Sequence, residues 1–259
     1  MDAKFYDKDY LMEAIGFENE ELWEWLNRLE GGAGTYEDVD NIAELIGDNI
    51  AATLADDYSD EALDLLTEVG YEVVNDAGVI AQNNLNRAAG IGIKPMTKKY
   101  PQGAVSAIKE EVAKLAPEAV ATALKDKLPT MFMRFVDEVV KYNADFQADA
   151  GLEPIIVRTW SGSYPSHDTK HTDWCHDLAG TYVLGTARDA PANVYVRHEG
   201  CRCKVEYFPN AQAKGQITAL AKNELDYYGE LWNTKPETLE KRAAALERRL
   251  LREAEKKAK

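Results

Sequence analysis

The segment HDTKHTDWCHDLAGTYVLGTARDAPANVYVRHEGCRC, from His167 to Cys203, holds every histidine (His167, His171, His176, His198) and every cysteine (Cys175, Cys201, Cys203) of a 259-residue chain. Seven residues of two uncommon types in one short window call for a single local cause. The cause that fits their order is a structural zinc site, because zinc takes about four thiolate and imidazole ligands in a tetrahedron. Cys175 supplies one corner. Cys201 and Cys203 alternate, so on an extended segment both thiolates face one side. His198 stands three residues before Cys201, a spacing at which one turn brings both to the same ion. His171, four residues before Cys175, is the other candidate imidazole. His176 adjoins Cys175 and should point away. Three other readings of the cysteines stay open: a Cys175–Cys201 disulfide, plain buried thiols, and a thiolate nucleophile with His198 as its base.

The sequence around this window supports a small module. From Pro154 onward, PIIVRTW, TYVLG, NVYVR and CKVEYFP are short, β-branched or aromatic, and bounded by turn residues, so each reads as a strand. Residues 152–209 therefore form a small β-rich Cys/His unit. A unit of this size commonly needs a metal or a disulfide to hold it. Trp160, Trp174 and Tyr195 are expected to pack around the site, and Arg197 and Arg202 either to meet carboxylates or to face solvent.

At these residues the chain resembles a known family. DWCHDLAGTY (173–182), followed by DAPANVYVRHEGCRCKVEYFP (189–209), is similar to the C-terminal motif of the Mu F-type minor head proteins of tailed bacteriophages, also called phage head morphogenesis proteins. Cys175, Leu178, Ala179 and Gly180 match the first half of that motif; His198, Cys201 and Cys203 match the second. KYNADFQADAGLEPIIVRTWSG (141–162) looks like the family's lead-in through Asn143, Phe146, Gly151 and Arg158. The first cysteine of the family's Cys-x-x-Cys would fall at Thr172, which cannot replace a thiolate, so His171 is the neighbour able to take that corner. The resemblance covers about residues 135–210. It implies a minor head protein of the virion, assembled in the host cytoplasm, with the portal or major capsid protein as partner.

Upstream, the chain reads as helical. NEELWEWLNRLE has Asn19 as a cap and an apolar face of Leu22, Trp23, Leu26 and Leu29. TYEDVDNIAELIGDNIAATL repeats apolar residues at helical spacing, and SDEALDLLTEVGYEVVNDAGVIAQNNL opens on a Ser59 cap. AGIGIKPMTKKYPQG carries two prolines and reads as a basic loop or linker. Helices resume at Ala104, with Pro117 opening one that ends before Pro129 and a further helix ending at Gly151. The expected organisation is an acidic helical region over 1–90, a linker over 91–103, a helical region over 104–151, the β-rich module over 152–209 and a C-terminal helical segment over 210–259. The fold class is α+β.

Charge and composition narrow the function. The formal net charge is −15. Residues 1–70 hold 20 acidic groups against 3 basic ones, which leaves 25 against 27 for the rest. An acidic first quarter repels DNA and favours a basic protein surface. The segment from Pro236 onward is mildly basic and amphipathic, with glutamates between its lysines and arginines, so contact with packaged DNA is the weaker expectation there. No apolar run approaches the roughly 20 residues of a membrane span, and MDAKFYDKDYL reads as no secretory signal. No glycine-rich phosphate loop, nucleophile elbow or His-Glu-x-x-His is present. The expectation is a non-enzymatic structural protein. A metal-dependent hydrolase or nuclease built on the same cluster, and a free DNA- or protein-binding adaptor, are the competing classes.

Overall fold

The computed structural model describes residues 8–56, 58–161, 172–185 and 191–209. Helices come first: α1 (Lys8–Ala14), α2 (Glu20–Glu30), α3 (Tyr36–Asp56), α4 (Asp60–Ala89), α5 (Gln102–Val112) and α6 (Pro117–Asp149). A smaller α/β portion follows: β1 (Ile155–Thr159), α7 (Thr172–Asp177), β2 (Gly180–Val183), a 3₁₀ turn (Ala192–Tyr195) and β3 (Lys204–Phe208). This is the expected α+β class. Among the described residues no helix is long and apolar enough to cross a membrane. The C-terminal helix expected over 210–259 lies outside the described residues.

Local chemistry sets the helix ends. The Asn19 side chain accepts from the Glu21 backbone N–H at 2.8 Å, and Ser59 accepts from Ala62 at 3.1 Å, each satisfying a donor that helix geometry leaves unpaired. Gly90 closes α4 at φ 68°, in the left-handed region that a side chain disfavours.

α3 and α6 form the centre of the helical body. Their closest approach departs from the sequence expectation. Pro129 does not end a helix; α6 runs through it without interruption. A proline removes one helical hydrogen bond and usually kinks or breaks a helix. Here it is buried against Gly47 of α3, where a Cβ would sit 2.5 Å from Pro129 Cα and 2.6 Å from its nitrogen. Packing of backbone on backbone outweighs the local penalty. Gly47→Ala is accordingly expected to cost about 1–3 kcal/mol by overpacking, read as a lowered urea midpoint.

The segment expected as a linker is tied down. Asn86 Nδ2 donates to Ile93 O at 2.9 Å, and Asn143 both accepts from Met96 N at 2.7 Å and donates to Met96 O at 3.1 Å. The Tyr71 hydroxyl donates to Lys98 O. Helix α5 then begins at Gln102, two residues before the expected start.

The sheet is antiparallel with order β2-β1-β3. NVYVR, expected as a strand, forms the 3₁₀ turn instead. Both edges of β1 are already occupied by β2 and β3, and Val194 N donates back to Pro191 O at 2.8 Å. Ile156, Val205 and Tyr207 face the helices and join the same apolar core as α3, α4 and α6. A chain of buried amides spans the junction. Tyr36 OH donates to Gln82 Oε1, Gln82 and Gln147 each donate to Asn86 Oδ1, and Tyr207 OH donates to Gln147 Oε1. Buried polar groups are tolerated when paired in this way.

Candidate metal centre

The site is built where β1, α7 and the approach to β3 meet. Cys175 lies on α7. A turn from His198 to Cys201 closes with Cys201 N donating to His198 O at 3.2 Å, and its third residue, Gly200, takes φ 70°. Only glycine adopts that backbone at no steric cost. The Gly200 N–H is anchored on Thr130 Oγ1 of α6 at 3.0 Å. The turn delivers the imidazole and the thiol to one point, as their spacing suggests.

Ligand atoms of Cys175, His198 and Cys201 all lie within 4.8 Å of one another, with both cysteines buried and His198 half-buried, so this cluster can hold a metal ion. The Cys175 and Cys201 sulfurs are 3.8 Å apart. All three cysteines are free, so the disulfide reading does not hold in this structure. Cys203 is buried against the same sulfurs, where the Cys201 thiol hydrogen-bonds to it, but its sulfur does not join the set of ligand atoms that all lie within 4.8 Å of one another. That hydrogen bond, more than offsetting burial, pulls the Cys203 pKa down to about 5, with the Ser161 backbone N–H and Arg158 adding to the effect. The Cys201 pKa is pushed up by the same bond and by burial, and that of Cys175 is raised by burial. One thiol of the group is thus poised as a thiolate, the form that ligates metal.

His171 and His167 lie outside the described residues, so the structure gives no position for the expected second imidazole. His176 is exposed and stacks edge-on against Trp160, 5.5 Å between centroids. Trp160 and Trp174 pack on the sulfurs and Trp174 meets His198 edge-on at 6.4 Å. Tyr195, expected at the site, packs against the main core instead, with Lys141 over its ring. The 3₁₀ turn, absent from the sequence reading, carries it there.

Two buried arginines frame the cluster: Arg197, for which the sequence left open a carboxylate contact or a solvent face, and Arg158, for which it offered no contact. Arg197 is fully buried and binds Asp137 of α6 with two nitrogens, one at 2.7 Å. Its Nη2 is also 3.5 Å from Asp40 of α3, and Nη1 donates to Cys203 O. Arg202 instead reaches the surface carboxylates of Glu44 and Asp48, each at 3.4 Å. Arg158, the fourth of the five residues of β1, is 1% exposed. It donates to the carbonyls of Val194 and Val196 and points Nη2 at the Cys175 and Cys201 sulfurs.

Asp40 has a pH signature. Burial pushes its pKa up to about 8, with Arg197 pulling it down and Asp137 pushing it further up. An unfolded aspartate titrates near 3.9. The folded chain therefore keeps a proton that the unfolded chain releases, and this contribution to stability is lost as pH rises from about 4 to about 8. Asp40→Asn cannot ionise, so the urea midpoint of the variant should hold up better than wild type as pH rises from about 4 to about 8. Parallel pH profiles for the two proteins would refute the assignment.

Comparison with protein-family models, with curated proteins and with solved structures finds no match.

Proposed function

We propose that this chain is a structural minor head protein of a tailed bacteriophage, and that its Cys/His centre holds zinc as a folding element rather than a catalyst. The observation that carries the reading is the convergence of Cys175, His198 and Cys201, with Cys203 beside them, at the positions where the sequence resembles the Mu F-type motif. Four ligands about 2.3 Å from a tetrahedral ion stand about 3.8 Å apart. The Cys175–Cys201 separation of 3.8 Å equals that edge. Thiolates and imidazole in a buried setting are the donor set zinc prefers, and bound zinc would supply a cross-link between α7 and the β3 approach. Cys203 is the fourth ligand closest to hand, and His171 the alternative. A centre filled by four protein ligands leaves no position for a reacting water, which favours assembly over hydrolysis.

On this reading the partners are the portal or the major capsid protein. The acidic helices of the first quarter favour a basic surface on that partner. The test is particle composition. Heads purified from the phage or element that encodes the chain are analysed by quantitative mass spectrometry. A few copies per head support the proposal. Absence from particles, with the chain present in the infected cell, sinks it in favour of a free adaptor. Metal-dependent DNA cleavage that disappears in His198→Ala would favour the nuclease.

A further inference from the structure

We infer that Arg158 is the charge-balancing, thiolate-positioning residue of the metal centre. The inference deepens the zinc reading and rests on it. Arg158 lies on the central strand, one residue before its end, paired with Gly180 on one side and Val205 on the other. Its side chain is buried, which for an isolated guanidinium is strongly unfavourable unless an anion is near. Arg197 has such an anion in Asp137, with Asp40 also 3.5 Å away. Among the described residues Arg158 has no carboxylate in ion-pair range. Nη1 is taken by the Val194 and Val196 carbonyls, the latter at 2.9 Å. Nε has no hydrogen-bond partner. Nη2 faces the Cys175 sulfur at 3.7 Å and the Cys201 sulfur at 3.8 Å. The Trp174 ring covers the guanidinium, 5.6 Å from its centroid.

Asp137 lies outside ion-pair range and feels this cation only through its field, so the anion that Nη2 faces directly is sulfur. With Cys203 as the proposed fourth ligand beside Cys175, His198 and Cys201, a divalent ion is held by three thiolates and one neutral imidazole and carries a net charge of about −1. One buried guanidinium neutralises it. Because two carbonyls fix the other end of the fork, Nη2 is aimed at the sulfurs before any ion arrives. Groups in this position orient ligands and tune the metal, and their loss typically costs 10–100-fold in affinity. Arg158 also ties the ion to the backbone at Val194 and Val196, just upstream of His198.

The test uses the full chain. Zinc affinity is measured by competition with a chromogenic chelator for wild type, Arg158→Lys, Arg158→Gln and the control Arg202→Gln, whose cation pairs with Glu44 and Asp48 instead of sulfur. The cobalt(II) form of each is examined for its thiolate-to-metal charge-transfer band and its ligand-field bands. The expected result is affinity about 10–100-fold weaker in Arg158→Gln, a smaller loss in Arg158→Lys, and none in Arg202→Gln. The charge-transfer band should shift in both Arg158 variants while the ligand-field bands keep their tetrahedral pattern. A purely structural role would leave that band in place in any variant that loads metal. Wild-type affinity and an unshifted band in Arg158→Lys would overturn the inference, whether or not Arg158→Gln folds. Failure of the wild-type protein to bind zinc or cobalt would overturn the zinc reading itself.

Discussion

Cys201→Ser is expected to abolish stoichiometric zinc and to cost more than about 4 kcal/mol, the range in which loss of a metal falls. A serine hydroxyl is a poor zinc ligand, and Cys201 belongs both to the sulfur pair at 3.8 Å and to the turn that presents His198. Structural zinc in finger peptides contributes roughly 10–16 kcal/mol in apparent terms. The effect here should be smaller, because Ile156, Val205 and Tyr207 also hold the module on the helical core. The helices lie mostly outside the module, so far-UV circular dichroism should fall little, while fluorescence of Trp160 and Trp174 shifts to the red as the sulfur cluster opens. Elemental analysis should find about one zinc per wild-type chain. A metal-free wild type, with the serine variant equally stable, would leave three ordinary thiols.

Arg197→Met should be nearly as damaging, at about 3–5 kcal/mol. The substitution removes a fully buried cation and strands Asp137 and Asp40 in the core. It also strips Cys203 O of its donor. Domains of ordinary size are stable by only about 5–15 kcal/mol, so the variant would sit near the edge of folding. The double variant Arg197→Met/Asp137→Leu should recover much of the loss, because apolar replacement of a buried pair is often close to neutral. Urea unfolding of the three proteins measures both effects. If the double variant is no better than the single one, packing around Arg197 rather than the stranded charge is responsible.

Periodicity and caps made the helices legible: Asn19 and Ser59 mark true starts, and the apolar stripe of α3 is the buried one. Pro129 misled because its local cost is visible in sequence while its partner, Gly47, is 82 positions away. NVYVR misled because alternation signals an extended chain but not whether that chain pairs: among the described residues the outer edges of β2 and β3 carry no strand, and the segment closes on itself as a 3₁₀ turn instead. The ligand cluster was legible from its rare residue types. Its buried ion pair was left open, Arg197 being read as meeting either carboxylates or solvent, although a signal that decides between them existed. Tyr36, Asp40, Ala43 and Gly47 form one buried helical column, as do Met133, Asp137, Val140 and Ala144. One carboxylate in each otherwise uncharged column marks a buried cation elsewhere in the chain. Arg197 and Arg158 sit among β-branched residues where nothing local separates a buried arginine from a surface one.

The register of β1 against β3 has a mechanical consequence. Ile155 pairs with Phe208, so the chain enters and leaves the module on a single rung. Tension applied through the flanking chain would open that ladder like a zipper, one rung at a time, instead of loading all its hydrogen bonds in shear. The cysteine cluster lies beyond the far end of the ladder, past Thr159 and Lys204. A pull from outside reaches the candidate ligands last, after the strands have parted.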